Sequence, residues 1–78
     1  AWGTLPAELA SIPVSLADSL SAGNCASETG RVHLALGAPS SISAAELWTW
    51  CVDHEPSFLS SFVRRAIECA RRSQLAHA

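Results

Sequence analysis

The longest uninterrupted helical period in the chain runs from Pro56 to His77, PSFLSSFVRRAIECARRSQLAH. At about 100° per residue, Phe58, Leu59, Phe62, Val63, Ala66, Ile67, Cys69 and Ala70 fall on one face about 180° wide. Arg64, Arg65, Glu68, Arg71 and Arg72 fall on the other. The spacing predicts an amphipathic helix with a basic back. There is no lysine, and four of the five arginines lie here, so the positive surface of the molecule is this helix.

A helix with so wide an apolar face needs a core to cover it. A chain of 78 residues is near the lower limit at which a hydrophobic core alone outweighs chain entropy. An apolar content of 49% supplies such a core, and 15% charged residues is too few for a disordered chain. The predicted fold is all-α: one small domain over 1–78, a compact orthogonal bundle of four to five short helices ending in the long amphipathic helix.

Upstream, Thr4 as N-cap and Pro6 in the first turn predict a helix carrying Leu5, Leu9 and Ile12 and ended by Pro13. Ser11 caps a second short helix, with Pro13 in its first turn and Leu16, Ala17 and Leu20 as its stripe, stopped by Gly23. Asn24 then caps a helix from Cys25 to Leu36, whose inner face is Cys25, Thr29, Val32 and Leu36. The alternation of Val32, Leu34 and Leu36 also suits a strand. The partner for that strand would be Ile12 to Leu16, which contains Pro13, so helix is preferred. GAPSSIS, residues 37–43, reads as a connection, and Ser43 with Glu46 forms a capping box for a helix to about His54. Its stripe is Ala44, Leu47, Trp48 and Cys51, with Val52 at the margin; Trp50 lies opposite, with Glu46, Thr49 and Asp53.

Charge is segregated along the chain. Residues 1–56 carry six carboxylates against Arg31, a net of −5, and residues 57–78 carry four arginines against Glu68, a net of +3. Packing of the basic helix on the acidic remainder, within or between copies, accounts for this as well as a nucleic-acid ligand does. Three cysteines in unrelated spacings are no disulfide framework and predict a reduced, cytoplasmic setting. A secreted chain with one bridged pair is the alternative. No apolar run approaches the ~18 to 20 residues of a membrane span, and Ala-Trp-Gly-Thr has no signal-peptide layout, though a leader removed upstream stays open.

Trp50 is the first candidate interaction residue, because an indole on the polar side of its helix either covers a neighbouring element or anchors a partner. Cys51 and His54 at i, i+3, completed by Cys25, His33 or Cys69, are the nearest approach to a metal set, but they lack a paired CxxC or HxxxH, and no metal or cofactor is expected. His33, His54, Cys25, Cys51, Asp53 and Glu55 are the groups that could serve catalysis; no spacing ties a nucleophile to a base and an orienting group, so the chain reads as non-enzymatic. Arg64, Arg65, Arg71 and Arg72 form the second candidate surface, with Glu68 in their midst placed to pair locally with Arg64, Arg65, Arg71 or Arg72.

The run ELWTWCVDHEPSFLSSFVRRAIECARR faintly resembles the end of helix-turn-helix segments in phage small terminase subunits, at Trp50, Pro56, Phe58, Arg64 and Arg65. The resemblance spans under half of the chain and implies DNA binding. The matching recognition helix, Ala44 to Asp53, carries Glu46 and Asp53 and no basic side chain, which is contrary to phosphate and base readout. The sequence therefore reads first as a helical protein-interaction module, self-associating or a subunit of a larger assembly. A small helix-turn-helix-like nucleic-acid-binding domain using the Arg helix is the alternative.

Overall fold

A computed structural model describes residues 3–76. It is 68% helix and 5% strand, with a radius of gyration of 11.2 Å, close to the ~11.5 Å of a compact chain this long. After a single 3-10 turn at Ala7–Leu9, the order is β1 (Pro13–Val14), α1 (Leu16–Ser21), α2 (Ala26–Ala35), β2 (Ile42–Ser43), α3 (Ala44–His54), a 3-10 turn at Pro56–Ser60, and α4 (Phe62–Ala76).

The first two predicted helices are not formed as expected. Leu5 to Ile12 holds only the 3-10 turn, with Pro6 rather than Thr4 before it. Pro13 then enters a two-residue antiparallel bridge, opposite Ser43, with Val14 opposite Ile42. Proline suits this edge because so short a ladder asks for few donors. The segment read as a plain connection, GAPSSIS, thus supplies the partner strand. This bridge also starts α3: the Ala44 and Ala45 amides donate to the carbonyls of Ile12 (2.8 Å) and Ala10 (2.9 Å). The Glu46 amide donates to Ser43 Oγ at 3.1 Å. Three of the amides that a helix start leaves orphaned are satisfied in this way.

The cap of α1 is Ser15, not Ser11. Its Oγ accepts from the Asp18 amide (3.2 Å), and Asp18 Oδ2 accepts from the Ser15 amide (2.9 Å), a reciprocal capping box. Both α1 and α2 end in Schellman motifs built on glycines at φ +89°. Gly23 and Asn24 amides donate to Leu20 and Ser19 carbonyls, and those of Gly37 and Ala38 to Leu34 and His33. Asn24 does not cap α2. Cys25 holds that position without a side-chain cap, and it is exposed rather than on the inner face.

The core gathers Leu9, Ile12, Val14, Val32, Ala44, Leu47 and Cys51 around the inner face of α4. Phe62, Val63, Ala66, Ile67 and Ala70 of α4 are buried, as its period requires; Cys69 is only partly so, and Phe58 and Leu59 pack at the edge. The final helix is shorter than predicted. Pro56 opens a 3-10 turn, and Ser61 (φ −144°, ψ −59°) separates it from α4. Serines 57, 60 and 61 favour this break because their hydroxyls offer the backbone local partners, as Ser60 Oγ does in donating to the Ser57 carbonyl (3.2 Å). The predicted endpoint, His77, lies outside the described residues.

The stripe predicted for α1 is also displaced. Leu16 and Leu20 are 37% and 43% exposed, Ala17 is exposed, and Ser19 is the buried residue. The Ser19 and Thr29 hydroxyls share a hydrogen bond (3.0 Å). Asn24 Nδ2 donates to Ser19 Oγ and to the Phe62 carbonyl, both at 2.9 Å. A buried polar clamp thus ties the end of α1, the start of α2 and the first residue of α4. Arg31 ties the outside, reaching Glu28 (2.6 Å) and Glu55 (2.7 Å) with its guanidinium 5.8 Å from the Phe58 ring centroid.

Candidate interaction surface

The burial of α4 decides what its other face offers. With Val63, Ala66 and Ile67 inaccessible, the helix cannot rotate, and its arginines are held on the outside. Arg64 is partly buried at the margin of that face, and its Nε lies 3.6 Å from Glu68 Oε1, an ion pair beyond hydrogen-bond distance. Arg65, Arg71 and Arg72 are exposed. Among the described residues no carboxylate lies within ion-pair distance of these three. Glu68 therefore pairs with Arg64, one of the four arginines that helical spacing offers it, and leaves the rest of the cluster without it. Nor do the carboxylates of the first 56 residues meet these guanidinium groups inside the molecule. Every residue of α4 from Arg71 to Ala76 is exposed, including Leu75 at 68%.

Trp50 is partly buried against the core. Its ring stacks on His54 with centroids 4.6 Å apart and planes at 15°, and His54 Nδ1–H donates to the Trp50 carbonyl at 3.0 Å. Leu36, from the end of α2, lies beside it in a shallow open depression with Glu46, Thr49 and Asp53. The indole thus covers an intramolecular edge and presents only part of its surface to solvent. Of the candidate residues, Arg71 and Arg72 stand at the far end of α4 and Arg65 two turns earlier, while Trp50 belongs to α3.

The groups considered for metal binding or catalysis are dispersed. Among the described residues there is no cluster of three or more His, Cys, Asp or Glu able to hold a metal ion. All three cysteines are free thiols. Burial, with a smaller contribution from the Glu55 charge, pushes the Cys51 thiol up to about 12, so it stays protonated and behaves as core. At exposed Cys25 the Ser27 hydroxyl (3.0 Å), then the Glu28 and Ser27 amides, lower the thiol from its ordinary value. A cleft between α1, α2 and α4, closed by Val14, Ile42 and Leu47, has a volume of about 40 Å³, water-sized rather than substrate-sized.

No helix among the described residues is long and apolar enough to cross a membrane. No family model matches the chain, and no curated protein or solved structure is detectably similar to it. The physical reading of the surface thus stands without a relative beside it.

Two features of this surface escaped sequence reasoning. The break at Ser61 was signalled by the serine cluster but outweighed by the helical period of the apolar residues. The outward position of Leu75 was visible in the projection, where it falls among Glu68, Arg71 and Arg72, opposite Ala66.

Proposed function

We propose that the chain is a non-enzymatic helical protein-interaction module of the cytoplasm, self-associating or a subunit of a larger assembly. In this reading it is an orthogonal bundle ending in α4, and the interaction surface is the outer face of that helix. Arg65, Arg71 and Arg72 act there directly and Arg64 at the margin, with Trp50 on α3 as a separate, partly exposed anchor.

One observation carries the reading: the three exposed arginines have no carboxylate partner among the described residues of a chain whose other part is acidic. Surfaces of opposite sign left unpaired within one molecule favour association between molecules, by steering encounter and fixing register. Sedimentation velocity over a concentration series, at low and at high salt, tests it. The expected result is a species heavier than the 8.2 kDa chain that weakens as salt screens the charges. A strict monomer at high micromolar concentration in low salt removes self-association, leaving only a different protein partner.

The same unpaired arginines favour a second reading, a small nucleic-acid-binding domain using α4. It requires binding to random duplex that falls steeply with salt and weakens on Arg71→Ala with Arg72→Ala. Glu46 and Asp53, exposed on α3, disfavour any duplex contact by that helix.

A further inference from the structure

We propose that the groove between residues Glu8 to Ile12 and the end of α4 is a twofold self-docking surface, which receives the Leu75 end of α4 from a second copy of this chain. The inference rests on the self-associating reading above and names its geometry.

The groove is open, with a volume of about 690 Å³. Leu9 and Ile12, core residues only 6% and 9% exposed, close it at the base; Glu8 lies on the same side, and Arg71, Gln74 and Leu75 line the other. Leu75 is 68% exposed. In projection it lies about 180° from Ala66 and about 120° from Val63, so turning it inwards would expose the helix's own core face. Residues 71–76 extend as helix although none of them is buried.

The charges select the occupant. Glu8 and Arg71 face the same groove from different segments, both exposed, and neither forms an ion pair among the described residues. A surface with an acidic wall at Glu8 and a basic wall at Arg71 is complementary to itself. A twofold axis brings Glu8 of each copy to Arg71 of the other and covers each exposed Leu75 in the other copy's groove. The Glu8 carboxylate makes the same groove a poor seat for a phosphate backbone.

Sedimentation equilibrium of the full chain tests this with Leu75→Asp, Glu8→Arg, Arg71→Glu and the Glu8→Arg/Arg71→Glu double variant. All three side chains are exposed, so the fold is expected to survive, and circular dichroism checks it. Each single change is expected to weaken the dimer by about tenfold or more, and the double variant to return within about threefold of the original. Mixing the two charge-reversed single variants is expected to give a heterodimer, since both cross-copy pairs are then restored. A dimer indifferent to Leu75→Asp, or single variants that do not recover on mixing, overturns this groove while leaving self-association through another face. A wild-type chain that is monomeric at high micromolar concentration overturns both.

Discussion

Two helices of this molecule, α1 and α4, pack against each other, yet they obey the sequence to different degrees. In α4 the residues that the helical period assigns to the inside are inside: Val63, Ala66 and Ile67 have no accessible surface. In α1 the assigned stripe is turned outwards by roughly one residue's rotation, about 100°, and a serine faces the core. The difference is one of length and redundancy. From Phe62 to Ala70 the apolar stripe repeats over about two and a half turns, so any rotation exposes several large side chains at once. Six residues offer two leucines, and exposing both in part costs less than leaving Asn24 and Thr29 without the Ser19 hydroxyl between them.

The comparison can be broken most forcefully in α4. Ile67→Ala removes a fully buried side chain from the centre of the core and is expected to cost about 2–5 kcal/mol in chemical denaturation, a large part of the stability of so small a domain. A cost below about 1 kcal/mol means that α4 is not seated as described. Asn24→Ala is next, at about 2–3 kcal/mol, because it removes two buried hydrogen bonds and leaves the Phe62 carbonyl with less than its full set. Should this variant cost nothing, the polar clamp does not set the rotation of α1.

Smaller effects sharpen the account of α1. Gly23→Ala is expected to cost about 1 kcal/mol through its φ of +89° alone, since a Cβ there meets nothing within 4 Å. Thermal unfolding at an unchanged midpoint would show that the Schellman turn relaxes. Leu20→Ser is the smallest, within about 0.5 kcal/mol, because the side chain is already half in water. A loss like that of Ile67→Ala would place Leu20 in the core and restore the simple stripe.

The same physics explains which signals could be read in the chain. Ser43, Glu46 and the following apolar stripe placed α3 correctly at Ala44–His54, because cap, propensity and period agree there. Gly23 and Gly37 marked the ends of α1 and α2 for the same reason. Pro13 misleads in all three roles that local pattern offers it, as helix-stopper, as first-turn residue and as obstacle to pairing, whereas a two-residue edge bridge accommodates it. Ser15 and Asp18 carry a capping signal as clear as that of Ser43, and the structure uses it in place of Ser11. The candidate surface was legible as a row of arginines on one face of a helix. That Glu68 engages only Arg64 was not, because spacing makes several partners available and says nothing about which rotamers the packed helix leaves.

The sequence by itself determined that this chain is helical, that its final helix has one committed apolar face, and that its charge is divided between an acidic part and a basic helix. Those properties follow from periods and counts along the chain, which need no knowledge of neighbours. Tertiary structure decided the rotation of α1, the pairing of Pro13–Val14 with Ile42–Ser43, the inward turn of Asn24, and the isolation of Arg65, Arg71 and Arg72 from every described carboxylate. Each depends on which groups distant in sequence arrive within hydrogen-bond or ion-pair distance, and at about 3 Å such contacts are settled by packing that local pattern does not encode.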